Sequence, residues 1–332
     1  MLIVQTPLRI SFAGGGTDMQ EFYKHEPGMV ISATIHKYVY IVVNPRYDDE
    51  VVINYSRKER VSDITKIEHR FVREALILTN ITRAVEITCL ADIPAEGSGL
   101  GSSASFAIGL LNALYHYKGI QVTAEHLARE ATFIEVTKLG RPVGKQDQYA
   151  AAYGNMNVFT FNEDESVERE SVFLSASSLA KFSSSLLLFY TNVTRNSETI
   201  LAEQKNNIKT AKNREVLSKM KQQVPEIRDA LISNDFNKVG RLLHEGWQSK
   251  KSLASKVSTP EIDRMYAKAI EAGAIGGKIS GAGGGGFLLL YVPLEKQESV
   301  RQALRGYREM LFRIEREGSK TIFNAAANPW LK

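Results

Sequence analysis

The chain has 332 residues, of which 43% are hydrophobic and 24% charged, enough apolar material for one large domain or two ordinary ones. Its net charge of +5 is spread over interspersed acidic and basic residues without a recognisable nucleic-acid-binding module, so we predict no nucleic-acid partner. A single cysteine, Cys89, excludes an internal disulfide and favours a reducing compartment.

No apolar run of about 18 residues, the length that spans a membrane, occurs, and the first residues lack the charged and apolar regions of a signal peptide. We therefore expect a cytoplasmic protein with no membrane partner. The six histidines show no H-x-x-x-H spacing, so no zinc site is predicted. The basic stretch between residues 205 and 221 is interpreted as the solvent-facing side of a long helix.

The first half of the chain mixes strands and helices. Hydrophobic periodicity predicts extended segments at 2–5, 31–43, 51–55, 85–91, 156–161 and 186–190. A helix follows the loop at 93–105, and a second helix runs from about Thr123 to Leu139, where Gly140 and Pro142 end it. The segment between the last two strands is predicted to be a polar surface stretch.

The second half begins with an almost continuous helical region from Ser197 to Ala272. Pro225 and Pro260 are placed in first turns of helices, with Thr259 as a cap. Strands at 274–279 and 287–292, a helix over 294–311 and a terminal strand pair follow. We predict an α+β fold with helices on one face of an antiparallel sheet in this half, and two domains, 1–185 and 186–332.

The loop between the strand at 85–91 and the next helix consists almost entirely of small residues. Its glycines let the backbone approach an anion, while the free N–H groups and the dipole of the helix start attract negative charge. The loop therefore predicts a polyphosphate site. The candidate nucleotide-binding residues are Glu96, Gly97, Ser98, Gly99, Leu100, Gly101, Ser102, Ser103 and Ala104.

Other phosphate loops are less consistent with the chain. Residues 99–104 also fit the G-x-G-x-x-A dinucleotide fingerprint, but the acidic strand end expected about 20 residues later is missing, because 119–123 is short and leads into a helix. A Walker-type loop is absent. Two further glycine-rich segments, 13–18 and 280–286, require a function that uses all three loops.

The three segments resemble, in order and spacing, the motifs of the GHMP small-molecule kinases: 6–18 (TPLRISFAGGGTD), 99–104 (GLGSSA) and 278–287 (KISGAGGGGF). Within that family, residues 14–18, 194–197, 243–247 and 258–262 resemble the D-glycero-D-manno-heptose 7-phosphate kinases. The resemblance implies a two-domain GHMP architecture. Its N-terminal domain would be like the second domain of ribosomal protein S5, and its C-terminal domain would be ferredoxin-like α+β.

The resemblance also implies roles for individual residues. Asp147 matches the catalytic aspartate that accepts the acceptor's proton, and Arg9 matches the basic position that keeps this aspartate ionised. Ser103 and Glu135 match magnesium ligands, and Ser102 could donate to phosphate. Each has a structural alternative: Asp147 as the N-cap of a helix over 148–153, a serine as a helix cap, Glu135 as a solvent-facing glutamate and Arg9 as a surface arginine.

Substrate contacts are expected from the first and third motifs. Asp18 matches a sugar-hydroxyl ligand, although Thr17 and Asp18 alone would indicate a turn. The third motif would pack on the phosphate loop and close the site, or be a simple hairpin connection. The candidate substrate-binding residues are Gly15, Gly16, Thr17, Asp18, Arg195, Gly281, Ala282 and Gly283, and a distal phosphate could meet Arg195, Lys250 or Lys251.

The function implied is that of a magnesium- and ATP-dependent kinase acting on the anomeric hydroxyl of D-glycero-D-manno-heptose 7-phosphate, for nucleotide-activated heptose and surface glycan synthesis. Two alternatives stay open: another sugar 1-kinase of the fucose or galactose type, and a catalytically silent sensor of ATP and sugar. The expected partners are small molecules, and homodimer formation is left open.

Overall fold

The computed structural model describes residues 1–93, 97–193 and 197–325. In those ranges the strands are β1 Leu2–Ala13, β2 Gly28–Pro45, β3 Val51–Asn54, β4 Lys58–Val61, β5 Val85–Ala91, β6 Met156–Phe161, β7 Val167–Ser171, β8 Leu186–Tyr190, β9 Gly276–Ile279, β10 Phe287–Tyr291 and β11 Lys320–Asn324.

The α-helices of the same residues are α1 Gln20–Tyr23, α2 Arg70–Thr79, α3 Ser102–Tyr117, α4 Ala124–Thr132, α5 Gln146–Tyr153, α6 Ala176–Ser184, α7 Ser197–Asn207, α8 Ala211–Ile232, α9 Phe236–Lys250, α10 Pro260–Glu271 and α11 Gln297–Ala303. A π-helical segment, Phe133–Lys138, continues α4, and short 3-10 helices lie at Ile64–Lys66 and Leu294–Lys296. The α+β composition that the sequence predicts is confirmed.

The larger sheet is built around β1 and β2. In the described part of the chain its order is β11-β1-β2-β5-β3-β4, with β6 beside β2 and β7 beside β6. Its strand pairs are antiparallel except β3 with β5. Along β1, Leu8, Ile10 and Phe12 enter the core, so the intervening Arg9 and Ser11 face the opposite side.

Helix α3 crosses this sheet and is buried along most of its length. A helix that is apolar nearly all round is stable only inside a domain. Gly109 lets α3 approach the sheet closely, because a Cβ there would lie 2.8 Å from Thr6 Oγ1 and 3.2 Å from Ile41 Cγ1. The packing of α3 on β1 places the N-terminus of the helix beside Arg9.

The smaller sheet has the order β8-β10-β9 and is antiparallel over the residues described. Strand β10 is buried on both faces: Leu288 and Leu290 pack with α10 and α11, while Tyr291 stacks against Phe182 of α6 at a centroid distance of 6.4 Å. The expectation of helices on one face alone is therefore wrong, since α6 and the main core cover the other face.

Of the two helix starts predicted at proline residues, one is confirmed and one is wrong. Thr259 caps α10 by accepting a hydrogen bond from the backbone N–H of Ile262, and Pro260 occupies the first position. The expectation for Pro225 is wrong, because it lies inside α8. Proline removes one intrahelical hydrogen bond, but α8 buries Val224 and Ile227 beside it, and this packing keeps the helix continuous.

The predicted helix over 294–311 is also wrong in length. Helix α11 ends at Ala303, and the following chain runs along β8 instead. There the carbonyl of Arg308 accepts from Tyr190 N at 2.9 Å and Met310 N donates to Leu188 O at 2.8 Å. Pairing with an open strand edge satisfies these backbone groups as a helix would.

Two more elements depart from the sequence prediction. The polar stretch before β8 contains β7, which pairs with β6, and the helix α6. Near the end of the chain, β11 pairs with β1 of the larger sheet.

The division into domains at residues 185 and 186 stays a prediction. Among the described helices, none has the length and apolar character needed to cross a membrane.

Candidate active site

A cavity of about 170 Å³ lies where β1, the start of α3, the start of α5 and the loop between β9 and β10 meet. Most of the predicted site residues line this cavity. They are Arg9, Gly15, Gly16, Asp18, Gly97, Ser98, Gly99, Gly101, Ser102, Ser103, Ala104, Glu135, Asp147, Gly281, Ala282 and Gly283. Glu96 and Arg195, which were also predicted, fall outside the described residues.

The phosphate loop delivers an uncapped helix end to the cavity. Helix α3 begins at Ser102, and its N-cap is Gly101, which has φ 78° and makes no side-chain capping bond. The alternative in which a serine merely caps the helix is therefore excluded. The backbone N–H groups of the first turn, which have no intrahelical partner, face the cavity with the positive end of the helix dipole.

The loop is fixed to β1 and to the third glycine segment. Arg9 N donates to Leu100 O at 2.9 Å and Leu100 N donates to Ser98 Oγ at 3.3 Å. Because its side chain is fully buried as well, Leu100 anchors the loop, and its role in nucleotide binding stays a prediction that its side chain does not support. A Cβ on Gly99 would lie 2.4 Å from Ser280 O, so the phosphate loop and the third glycine segment touch as expected.

Arg9 and Asp147 form a bidentate ion pair. Arg9 Nε lies 2.7 Å from Asp147 Oδ1 and Nη2 lies 2.5 Å from Oδ2, while Nη1 donates to Gly99 O at 2.7 Å. Arg9 is only 4% exposed, which excludes the surface-arginine alternative. Asp147 is the second residue of α5 and not its N-cap, since α5 starts at Gln146; the capping alternative is wrong.

Asp18 takes the capping role at α5. Its Oδ2 accepts from Gln146 N at 3.1 Å, and its Oδ1 accepts from Gly16 N at 2.9 Å. The residue is buried, and desolvation raises the pKa of its carboxyl group, opposed by these backbone hydrogen bonds. Gly144 is required beside it, because a Cβ there would lie 1.9 Å from Oδ2.

Thr17 does not line the cavity. Its hydroxyl is fully buried, lies 2.8 Å from Gly14 O and 2.9 Å from Met29 O, and accepts from Met29 N at 2.9 Å. The side chain therefore closes the turn against β2, and the substrate contact predicted for Thr17 stays a prediction that this position does not support.

Ser103 and Glu135 meet as the metal prediction requires. Ser103 Oγ donates to Glu135 Oε1 at 3.1 Å, and Arg141 Nη1 lies 2.9 Å from both oxygens. Glu135 sits in the π-helical segment and is 2% exposed, so the solvent-facing alternative is excluded. Burial raises the pKa of its carboxyl group, while Arg141 and the amide of Gln148 act in the opposite direction.

The oxygen donors of Ser103 and Glu135 suit Mg²⁺, which binds hard ligands and keeps several waters or substrate phosphates. No cluster of three or more His, Cys, Asp or Glu that could hold a metal occurs in the ranges covered by the structure. A metal at this point would therefore depend on nucleotide phosphates for its remaining ligands.

Sequence reasoning missed two cations of the cavity, Arg141 and Lys278. Arg141 follows the glycine that ends a helix, and no local signal marks it. Lys278 precedes Ser280 by two residues on an extended segment, so both face one side. Lys250 lines the cavity, but Lys251 does not; it lies 3.6 Å from Asp263.

Two family models match parts of this chain. Residues 64–155 match the family model described as GHMP kinases N terminal domain, and residues 227–309 match GHMP kinases C terminal. The D-glycero-alpha-D-manno-heptose 7-phosphate kinase of Campylobacter jejuni is 30% identical over 335 residues, which cover 96% of this chain and 97% of that protein. The chain belongs to the GHMP kinase family.

Solved structures agree with this assignment. The crystal structure of a D-glycero-D-manno-heptose 1-phosphate kinase from Bacteroides thetaiotaomicron is 26% identical, with a TM-score of 0.81 and coverage of 98% of this chain and 99% of that one. A putative sugar kinase from Campylobacter jejuni is 28% identical, with a TM-score of 0.77 and coverage of 96% and 97%.

The two-domain GHMP kinase fold and the ATP-dependent sugar kinase predicted from the sequence are therefore confirmed for this GHMP kinase. The dinucleotide alternative for residues 99–104 is wrong, because the loop belongs to the GHMP fold. The roles of the individual site residues stay predictions, supported by the geometry described above.

Proposed function

We propose that this GHMP kinase transfers the γ-phosphoryl group of ATP to the anomeric hydroxyl of D-glycero-D-manno-heptose 7-phosphate, giving the 1,7-bisphosphate and ADP. The observation that carries the catalytic part is the Arg9–Asp147 ion pair in the same cavity as the uncapped start of α3. The choice of acceptor is supported by the named activity of the Campylobacter relative.

In this proposal Asp147 accepts the proton of the acceptor hydroxyl while the oxygen attacks the γ-phosphorus. The side chain is 27% exposed, so it is open to the cavity on the side away from Arg9. The guanidinium of Arg9 favours the ionised carboxylate and offsets negative charge that develops on the reacting oxygens. Asp18 and Gln146 fix the start of α5 and thereby the position of Asp147.

The phosphates of ATP would lie against residues 97–104 and the first turn of α3. Ser103 and Glu135 would hold Mg²⁺, which would supply positive charge to offset that of the nucleotide phosphates. The guanidinium of Arg141, which now joins Ser103 to Glu135 and to Glu198 at 2.8 Å, would face the same phosphates. A cytoplasmic location and a place in the supply of nucleotide-activated heptose for surface glycans accompany this proposal.

The test is ADP release from MgATP with the purified full chain and a panel of acceptors: D-glycero-D-manno-heptose 7-phosphate, the unphosphorylated heptose, mannose, fucose, galactose and mevalonate. We expect turnover with the heptose phosphate at a kcat/KM at least about 100-fold above that for the free sugars. Analysis of the product by ³¹P NMR should find the new phosphate on C1.

Preferred turnover of fucose or galactose would be consistent with a sugar kinase but would overturn the acceptor proposed here. No turnover of any acceptor, with ATP still bound, would contradict the catalytic proposal and favour a sensor of ATP and sugar. Phosphate on a carbon other than C1 would contradict the proposed regiochemistry.

A further inference from the structure

Four donor side chains of the cavity have no part in the chemistry proposed above. They are Ser11, Lys250, Lys278 and Ser280, and all line the cavity. Each is at least nine-tenths buried, with exposed fractions of 5%, 5%, 5% and 2%. Buried lysines are rare in proteins unless they are paired, so two of them in one cavity require an explanation.

The two hydroxyls lack partners. Neither Ser11 Oγ nor Ser280 Oγ makes a hydrogen bond within the part of the chain that the structure describes. Leaving a buried hydroxyl unsatisfied costs about 1–3 kcal/mol, and such groups in native proteins commonly meet a ligand or water. Both hydroxyls can donate to an anion.

The two ammonium groups bond backbone carbonyls. Lys250 Nζ donates to Gly281 O, and Lys278 Nζ lies 3.4 Å from Phe12 O. Since an ammonium group carries three hydrogens, each lysine keeps donors for a ligand. Burial lowers the pKa of Lys250 to about 8, and burial together with the charges of Lys250 and Arg9 lowers the pKa of Lys278 well below its ordinary value.

Two of these side chains, Ser11 and Lys278, lie next to the first glycine turn. Ser11 follows Arg9 by two residues on β1, so both point to the same face. A Cβ on Gly15 would lie 4.0 Å from Ser11 Oγ, and the carbonyl that Lys278 contacts belongs to Phe12, just before that turn. Ser103 and Glu135, by contrast, meet at the start of α3. Ser11 and Lys278 therefore lie beside the first glycine turn, while Ser280 and the carbonyl that Lys250 bonds belong to the third glycine loop, which contacts Gly99.

We propose that Ser11, Lys250, Lys278 and Ser280 form a phosphate site for the acceptor, which holds a phosphomonoester dianion while Asp147 receives the proton of the reacting hydroxyl. The dianion would pair with two buried cations and two free hydroxyls at once. This inference rests on the proposed function and deepens it, because it makes the acceptor's own phosphate the main determinant of specificity.

The first test compares two acceptors, D-glycero-D-manno-heptose 7-phosphate and the same heptose without phosphate. We expect Lys278→Met to reduce kcat/KM for the phosphorylated acceptor by roughly 10- to 100-fold, mainly through KM, since one charge-assisted hydrogen bond is lost. The value for free heptose and the KM for ATP should change by less than about threefold. Lys268→Met, on the exposed side of α10, is the matched control.

Equal losses of kcat/KM with both acceptors, or a raised KM for ATP, would overturn the site. Either result would mean that Lys278 contacts the transferred phosphate or only stabilises the fold. Ser11→Ala and Ser280→Ala keep the size of the side chain nearly unchanged and should weaken selection for the phosphorylated acceptor by a smaller factor. Wild-type values for these hydroxyl variants would exclude the hydroxyls from the site.

A second test uses inorganic phosphate and does not require turnover. With ADP saturating the phosphate loop, phosphate should raise the melting temperature of the wild-type protein and of Lys268→Met but not of Lys278→Met. The absence of phosphate stabilisation in the wild type would overturn the site. Failure of the wild type to phosphorylate any heptose phosphate would instead overturn the proposed function, while the phosphate titration still decides the site.

Discussion

At the scale of single residues, the site is organised by charged groups that are stabilised by partners from distant parts of the chain. Arg9 and Asp147 are 138 positions apart in sequence, yet each supplies the partner that the other needs on leaving bulk water. Asp18 is similarly engaged by backbone N–H groups on two segments. Such groups are held in place before substrate arrives, which limits the reorganisation that the reaction requires.

Replacement of Asp147 by asparagine tests this arrangement. Asn keeps the size of the side chain but cannot accept a proton, so we expect kcat to fall by about 10²- to 10⁴-fold. The affinity for ADP, measured by calorimetry, should stay within about threefold of wild type, because the phosphate loop keeps its contacts. Asp49→Asn, whose side chain is 81% exposed, is the control. A kcat near the wild-type value would exclude Asp147 as the proton acceptor.

At the scale of elements, two glycine loops from distant parts of the chain form one surface. Gly99 and Gly281 have φ angles of +72° and +68°, and a Cβ on either would collide with the backbone of the other loop. Glycine is required at these positions for two reasons: the left-handed backbone conformation and the close approach. The contact joins the start of α3 to the end of β9 and thereby closes the cavity.

Alanine substitutions at Gly99 and Gly119 distinguish the effect of the left-handed backbone conformation from the effect of the close approach. Gly99 and Gly119 have nearly equal φ angles, +72° and +75°, but a Cβ on Gly119 meets nothing within 4 Å. Both changes carry the backbone penalty of about 1 kcal/mol. We expect only Gly99→Ala to lose a further 1–3 kcal/mol, roughly the range for overpacking, and to raise the KM for ATP.

The measurement is urea denaturation of both variants together with steady-state kinetics. Equal stability losses in Gly99→Ala and Gly119→Ala would mean that the loop contact relaxes without energetic consequence. In that case the closing role of the third motif would be contradicted.

At the scale of the whole molecule, the two halves share a hydrophobic core. The main cluster of buried side chains includes strand residues of the larger sheet, such as Ile10, and residues of the second half, such as Val224, Phe236 and Leu289. Strand β11 pairs with β1 across 315 or more positions. Because each half needs the other to complete its hydrophobic core, we do not expect residues 1–185 and 186–332 to be stable as separate domains.

We therefore predict one cooperative unfolding transition for the full chain. Trp247 is fully buried in the second half, so in a Trp330→Phe background its fluorescence reports on that half, whereas far-ultraviolet circular dichroism reports on all helices and strands. Both probes should give the same urea midpoint. Midpoints that differ by more than about 0.5 M urea would show two independently unfolding domains.

The amino-acid sequence by itself determined the features that depend on local chemistry. Three glycine-rich segments, a strand-loop-helix around residues 97–104 and the Thr259-Pro260 helix start are encoded within a few residues each, because backbone conformation and capping are local. These signals were sufficient for the family, the α+β class and many of the residues that line the cavity.

Only the tertiary structure decided which side chains face one another. The continuity of α8 through Pro225, the end of α11 at Ala303 and the burial of Lys278 depend on packing between segments far apart in sequence. Local propensity is worth at most a few kcal/mol and is overridden by burial and by pairing of backbone groups. For the same reason Lys278, in a glycine-rich motif, became a candidate phosphate ligand only when the fold placed its ammonium group 3.4 Å from the carbonyl of Phe12 on β1.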